Sequence, residues 1–149
     1  MGQYGKGDEG WSMIELILTL LLFGLLVSLA LPTFTRFGEF VEKEMFLKLL
    51  ASDLEYAKMQ AASSEEEIVV YFDTESGWVK TIRGDQILRK IKIPYHFRIE
   101  TNFARDQIVF RHTGQSLGGT IQLRSGKRLI GKVTVQVASG LPKVELIPQ

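Results

Sequence analysis

Cysteine is absent from the 149 residues. No disulfide can staple this chain, and thiol nucleophiles and cysteine-type metal sites are excluded. Histidine is almost as scarce, with His96 and His112 the only two. Neither has a second histidine at helical spacing, and both sit beside strand residues, so the clustered ligands of a zinc site and the Ser-His-acid pattern of a hydrolase are both missing. Gly118-Gly119 lacks the following Lys-Ser/Thr of a phosphate loop. Asp73-Thr74-Glu75-Ser76 lacks the calcium-loop pattern, and Arg83-Gly84-Asp85 reads as a turn. These gaps point away from an enzyme: no catalytic residue, cofactor or metal ligand is expected. Proline is rare too, and only one of the four, Pro32, precedes residue 90. The first half of the chain is therefore free to form a long helix.

Charge is missing from one stretch in particular. Between Trp11 and Leu31 the only ionisable side chain is Glu15. As a helix this run is about 30 Å long, the thickness of a bilayer's hydrocarbon core. The ten residues ahead of it, MGQYGKGDEG, are polar and glycine-rich. That order is the reverse of a secretory signal, whose apolar core precedes its cleavage site. The expected organisation is a leader over 1–10, a membrane-spanning helical segment over 11–32, its amphipathic continuation over 33–64, and a β-rich head over 65–149.

Beyond Pro32, where a bend is expected because proline removes an amide donor, Leu47, Leu50, Leu54, Ala57 and Ala61 recur at spacings of three and four. Glu39, Glu42, Lys43, Lys48, Asp53 and Lys58 are expected to lie largely off that stripe. The period then changes. Runs at 68–72, 78–82, 87–93, 97–101, 107–111, 120–124, 132–137 and 143–147 alternate as strands, separated by turn residues. Gly118-Gly119 is expected to supply a positive φ before a strand, and Gly140 a hairpin. The class is α+β: one long N-terminal helix, half transmembrane and half amphipathic, packed on an antiparallel sheet.

A carboxylate inside hydrocarbon costs about 3 kcal/mol and calls for a partner. Cleavage between Gly10 and Trp11 would create an α-amino group on Trp11, and Glu15 of a neighbouring copy would meet it when helices pack. Such a buried polar pair also sets axial register.

At Gly10-Trp11-Ser12-Met13-Ile14-Glu15 the chain resembles the type IV pilin and pseudopilin family, whose processing motif is glycine-aromatic-Thr-Leu-Ile-Glu. Pro32 falls where many pilin helices carry a proline, although Trp11 replaces the usual Phe or Met. The resemblance implies cleavage by a prepilin peptidase and N-methylation at Trp11. It also implies Glu15-dependent assembly with other pilins, and a single-pass precursor with a cytoplasmic N-terminus, an extracytoplasmic head and a place at the cell surface once assembled. In the head, Val109-Phe110, Gly114, Gly118 to Leu123, Val133 to Val135, Ser139-Gly140 and Val144 are similar to minor pseudopilins of the H type. In length and style the whole chain looks most like the minor pilin of Gram-positive competence pili, the ComGD type. This implies a role in DNA uptake. A type II secretion pseudopilin and a membrane-anchored DNA receptor are the alternatives.

Charge segregates along the chain as well. Residues 36–77 hold 4 Lys/Arg against 10 Asp/Glu, whereas 78–149 hold 13 against 4. A basic head suits a polyanion, with Arg89, Lys90, Lys92, Arg124, Lys127 and Arg128 the candidate DNA contacts. Contact with acidic stalks of neighbouring subunits, or with water alone, is the competing reading of the same charges.

Overall fold

A computed structural model describes residues 9–137 and 139–147, with the backbone alone for 9–12 and 32–36. The expected leader lies outside the described residues except at its last two positions. The chain divides into two units, residues 1–41 and 42–149.

Helix α1, Glu9–Ser64, begins in the first unit and ends in the second. In the first unit, Met13–Leu31 is long and apolar enough to cross a membrane, and none of it is buried within the chain. Thr19 sits in this run without an open polar group, because its hydroxyl donates to the Leu16 carbonyl at 2.8 Å. The helical assignment continues through Pro32.

In the second unit the apolar stripe of α1 faces inward as its spacing requires. Leu47, Leu50, Leu54, Ala57 and Ala61 are fully buried. They pack on two four-stranded antiparallel sheets. The first has the order β3-β2-β1-β5 and the second β4-β6-β7-β8. These strands are β1 Ile68–Asp73, β2 Trp78–Arg83, β3 Gln86–Lys92, β4 Phe97–Thr101, β5 Gln107–Phe110, β6 Gly119–Ser125, β7 Arg128–Val135 and β8 Pro142–Leu146. The chain therefore leaves the first sheet after β3, lays β4 in the second, and returns to add β5 to the first. Ile68, Val70, Phe72, Val79, Ile108 and Phe110 of one sheet share a core with Ile121, Leu123, Ile130 and Val133 of the other.

Two polar residues depart from their expected exposure. Lys43 and Asp53 are each only 1% exposed. Lys43 extends the stripe itself, four residues before Leu47, and its ammonium donates to the Ile147 carbonyl at 3.2 Å. Asp53 is buried because β2 and β3 supply its partners, described below.

The glycine expectation also needs correction. Gly118 and Gly119 are not among the positive-φ residues, whereas Gly77, Gly84, Gly114, Gly126 and Gly140 are. The requirement at 118 and 119 is room. A Cβ on Gly118 would collide with the Val137 side chain, and one on Gly119 would lie 2.5 Å from the Phe103 ring. Gly140, with φ 62°, is in the left-handed region that glycine favours and precedes β8. Gly131 is closely approached as well, by Leu47 of the helix.

The strand at 87–93 shows a third departure. Its pairing with β2 shifts register between Thr81 and Ile82, so that Arg89 faces Thr81 while Ile87 faces Ile82. The extra residue, Leu88, packs on the core, and Ile87 is turned out to 54% exposure.

Candidate functional site

The predicted processing and assembly residues fall in the first unit. Gly10 and Trp11 belong to the opening turn of α1, so a cut between them would leave Trp11 at the start of the helix. Glu15 follows one turn later, on an exposed stretch of the apolar span. It has no ion-pair partner among the described residues. A carboxylate in lipid calls for a partner, and the described residues supply no charged one.

The six basic candidates are divided between the sheets. Arg89, Lys90 and Lys92 lie on β3, an edge of the first sheet; Arg124 lies on β6, Lys127 in the turn after it and Arg128 at the start of β7. Three of the six are already engaged within the head. Arg89 approaches the buried Asp53 carboxylate at 3.5 Å and covers the Tyr56 ring at 4.4 Å. Lys90 lies 4.0 Å over the Trp78 ring. Arg124 pairs with Glu100 at 2.7 Å and donates to the Lys127 carbonyl at 3.2 Å.

Asp53 joins the helix to the first sheet. Thr81, itself fully buried, donates to its carboxylate at 2.6 Å, and Arg89 reaches its other oxygen. Burial pushes the Asp53 carboxyl up from its ordinary range, against the opposing effects of Thr81 and Arg89. Nearer the start of the second unit, His96 lies 3.3 Å from Glu42, and the Phe97 and Phe46 rings meet at 6.2 Å between centroids. These contacts fasten the helix to the segment that links the two sheets.

The outward faces of the sheets differ in chemistry. On the second, Glu100, Gln122, Lys132 and Glu145 form one cross-strand row, and Lys132 pairs with Glu145 at 2.9 Å. That bond holds the Glu145 carboxyl below its ordinary range, helped by the charges of Lys132 and Lys143. On the first, alternation puts Val69, Tyr71 and Asp73 of β1 on the same outward face as Trp78, Lys80 and Ile82 of β2. Its single carboxylate, Asp73, takes a 2.7 Å bond from Lys80. Hydrogen bonds from Lys80 and the Ser76 backbone hold Asp73 well below the usual carboxylate range. Sequence alternation alone was enough to group Trp78, Lys80 and Ile82; the pairing that sets them beside β3 was not legible there.

Among the described residues, no group of three or more His, Asp or Glu side chains is placed to hold a metal ion. Two open clefts flank the sheets. One, of about 520 Å³, is bordered by Phe103, Ile108, Leu117 and Val137; the other, of about 550 Å³, by the β1–β2 turn, Tyr95 and Arg98.

Comparison with known proteins agrees with this architecture. The model of the family described as type II transport protein GspH matches residues 48–140. Among solved structures, the type IV minor pilin FimU of Pseudomonas aeruginosa superposes with a TM-score of 0.59 at 16% identity, covering 75% of this chain and 92% of that one. A second crystal form of FimU gives 0.55 at 14%, covering 70% and 92%. The minor pseudopilin EpsH from the type 2 secretion system of Vibrio cholerae gives 0.53 at 11%, covering 70% and 94%. At these identities the superpositions show the fold. No curated protein sequence matches.

Proposed function

The chain belongs to the type II transport protein GspH family, within the type IV pilins and pseudopilins, and from that premise we propose that it is a minor pilin of a competence pilus that serves DNA uptake. The observation that carries the reading is Glu15, the one ionisable residue in an apolar run that leads into a GspH-type head. In this proposal a prepilin peptidase cuts after Gly10, and the new amino group on Trp11 is methylated. The precursor waits in the cell membrane as a single-pass protein with its head outside. On extraction, Glu15 exchanges lipid for the N-terminus of a neighbouring pilin, which neutralises it and fixes the axial step. Pro32 lets the helix bend as it packs. The role is mechanical, with no chemical step.

Competence is favoured by the chain's likeness in length and style to Gram-positive competence minor pilins. The GspH description favours the second reading, a minor pseudopilin of a type II secretion system. An anchored DNA receptor is the third, and it draws on the basic head. Deleting the gene distinguishes the first two, and a DNA titration on the head tests the third. Loss of transformation with secretion intact supports the first reading; loss of secretion with transformation intact replaces it with the second. Intact-mass analysis of the mature protein is expected to show ten residues missing and one methyl gained. Recovery of the full-length chain from assembled filaments refutes the processing step.

A further inference from the structure

The outward face of the first sheet is more apolar than a water-facing sheet needs to be. Register aligns Ile87, Ile82, Val69 and Val109 in one unbroken row across β3, β2, β1 and β5. Ile87 is 54% exposed and the other three are partly exposed. Two residues along each of the inner strands lie Tyr71 and Lys80, with Lys90 directly opposite Lys80. Beyond them, Lys92 faces Trp78, which faces Asp73. One flat surface thus carries an aliphatic row, two amphipathic aromatics and three lysines with a single carboxylate among them.

Two features of this face call for an anionic partner. Lys80 and Lys90 stand directly opposite across the strand pair, and Asp73, bonded to Lys80 at 2.7 Å, is the one carboxylate set against three lysines, so the face keeps a net positive charge at Lys90 and Lys92. The Lys90 ammonium lies over Trp78, so cation and ring form a joint surface. The aliphatic row decides which polyanion fits. A nucleic acid exploits lysines and exposed aromatic faces, yet gains little from four β-branched side chains, and Trp78 is already covered by Lys90. A phospholipid surface uses all three chemistries together. Aliphatic side chains enter the acyl boundary, Trp and Tyr settle at headgroup level, and lysines reach anionic headgroups with their stems along the apolar surface.

We propose that the face built from Ile87, Ile82, Val69, Val109, Trp78, Lys80, Lys90 and Lys92 is a docking surface for an anionic lipid bilayer, on which the head rests while the chain is held in the membrane. The inference goes beyond the pilin reading and rests only on its membrane anchorage. Tethering by the span raises the local concentration of lipid surface, so a modest intrinsic affinity is sufficient. Leaving the bilayer would then require the head to be lifted off as well as the helix drawn out.

The chain has two tryptophans, so Trp11→Phe leaves Trp78 as the sole reporter. The full chain is reconstituted into vesicles of brominated phosphatidylcholine, with or without brominated phosphatidylglycerol. Trp78 is expected to be blue-shifted and quenched in the anionic vesicles and not in the neutral ones, with the effect reversed by high salt. Replacing Lys80, Lys90 and Lys92 together by Gln is expected to lower the ratio of docked to free heads on the order of a hundredfold, at about fivefold for each lysine. Ile87→Glu, at an exposed position, is expected to reduce quenching without altering the melting of the head. Equal quenching in both vesicle types, or none, overturns the proposal. A saturable response of Trp78 to a single-stranded oligonucleotide in neutral vesicles, with none to anionic lipid, overturns it too and gives the face to nucleic acid. If the chain fails to float with neutral vesicles, the anchor reading fails. Lysine-dependent flotation with anionic vesicles then still supports the face, and its absence refutes it.

Discussion

Replacing Asp53 by Ala and by Asn separates what its hydrogen bond contributes from what its charge costs. In the Ala variant, the Thr81 hydroxyl loses a 2.6 Å acceptor at a site sealed from water. An orphaned buried hydroxyl costs about 1–3 kcal/mol. The Arg89 contact adds under ~1 kcal/mol, since its guanidinium is nearly half exposed and its 3.5 Å approach is long. At about 4 °C per kcal/mol for a domain near 100 residues, the melting temperature should fall by roughly 4–16 °C. The Asn variant keeps an acceptor for Thr81 but cannot ionise. Because burial raises the Asp53 pKa in the folded state, the folded chain holds more protons than the unfolded one above the ordinary carboxylate range. Stability contributed by the protonated acid is fully present below that range and is lost as pH rises through the raised value. Melting the full chain in neutral detergent from pH 3.5 to 8, followed by near-ultraviolet circular dichroism, gives the test. The wild type should lose stability relative to Asp53→Asn as pH increases. A constant difference refutes the reasoning, and a difference of opposite sign shows that Thr81 and Arg89 outweigh desolvation.

Leu54→Ala removes a fully buried side chain and should cost about 2–5 kcal/mol, read from the urea midpoint; less than 1 kcal/mol would mean that the helix packs loosely on the sheets. Gly119→Ala should destabilise by about 1–3 kcal/mol through overlap with the Phe103 ring, and adding Phe103→Ala should restore part of the loss. No such suppressor should exist for Gly140→Ala, whose strain lies in a φ of 62° and in a Cβ 2.9 Å from the Gly114 carbonyl oxygen, neither of which a side-chain truncation relieves. Glu15→Val should insert normally and be depleted from sheared filament fractions; full incorporation contradicts the pairing mechanism.

The second half of the fold was readable because strand residues follow a period of two and the helical stripe three and four. Lys43 was expected off the stripe although 43, 47, 50, 54, 57 and 61 form one series, because a charge at its head reads as an interruption until a carbonyl is found for it. Asp53 carried no such signal. Its burial depends on Thr81 and Arg89, 28 and 36 positions away. Gly118 and Gly119 announce that a side chain is not tolerated without saying whether torsion or space forbids it. The resemblance to a processing motif rests on one local string, whereas the basic candidates were scattered by pairing. Arg89 turned toward the helix with Ile91 and Lys90 outward, whereas the register shift after Thr81 turned Ile87 out and Leu88 toward the core.

The exchange of β4 and β5 between the sheets makes the head an interlaced object. A chain that has emerged only as far as Lys92 owns three strands of one sheet and none of the other. The fourth position of the first sheet is filled only after the path has visited the second. Neither sheet can therefore be excised, nicked out or duplicated as a module, and a cut in the stretch between them should leave two fragments that need each other to fold. Pulling force applied through the helix meets both layers at once, since one row of buried leucines backs them both. In the proposed extraction from the bilayer, such a head gives way all together or not at all.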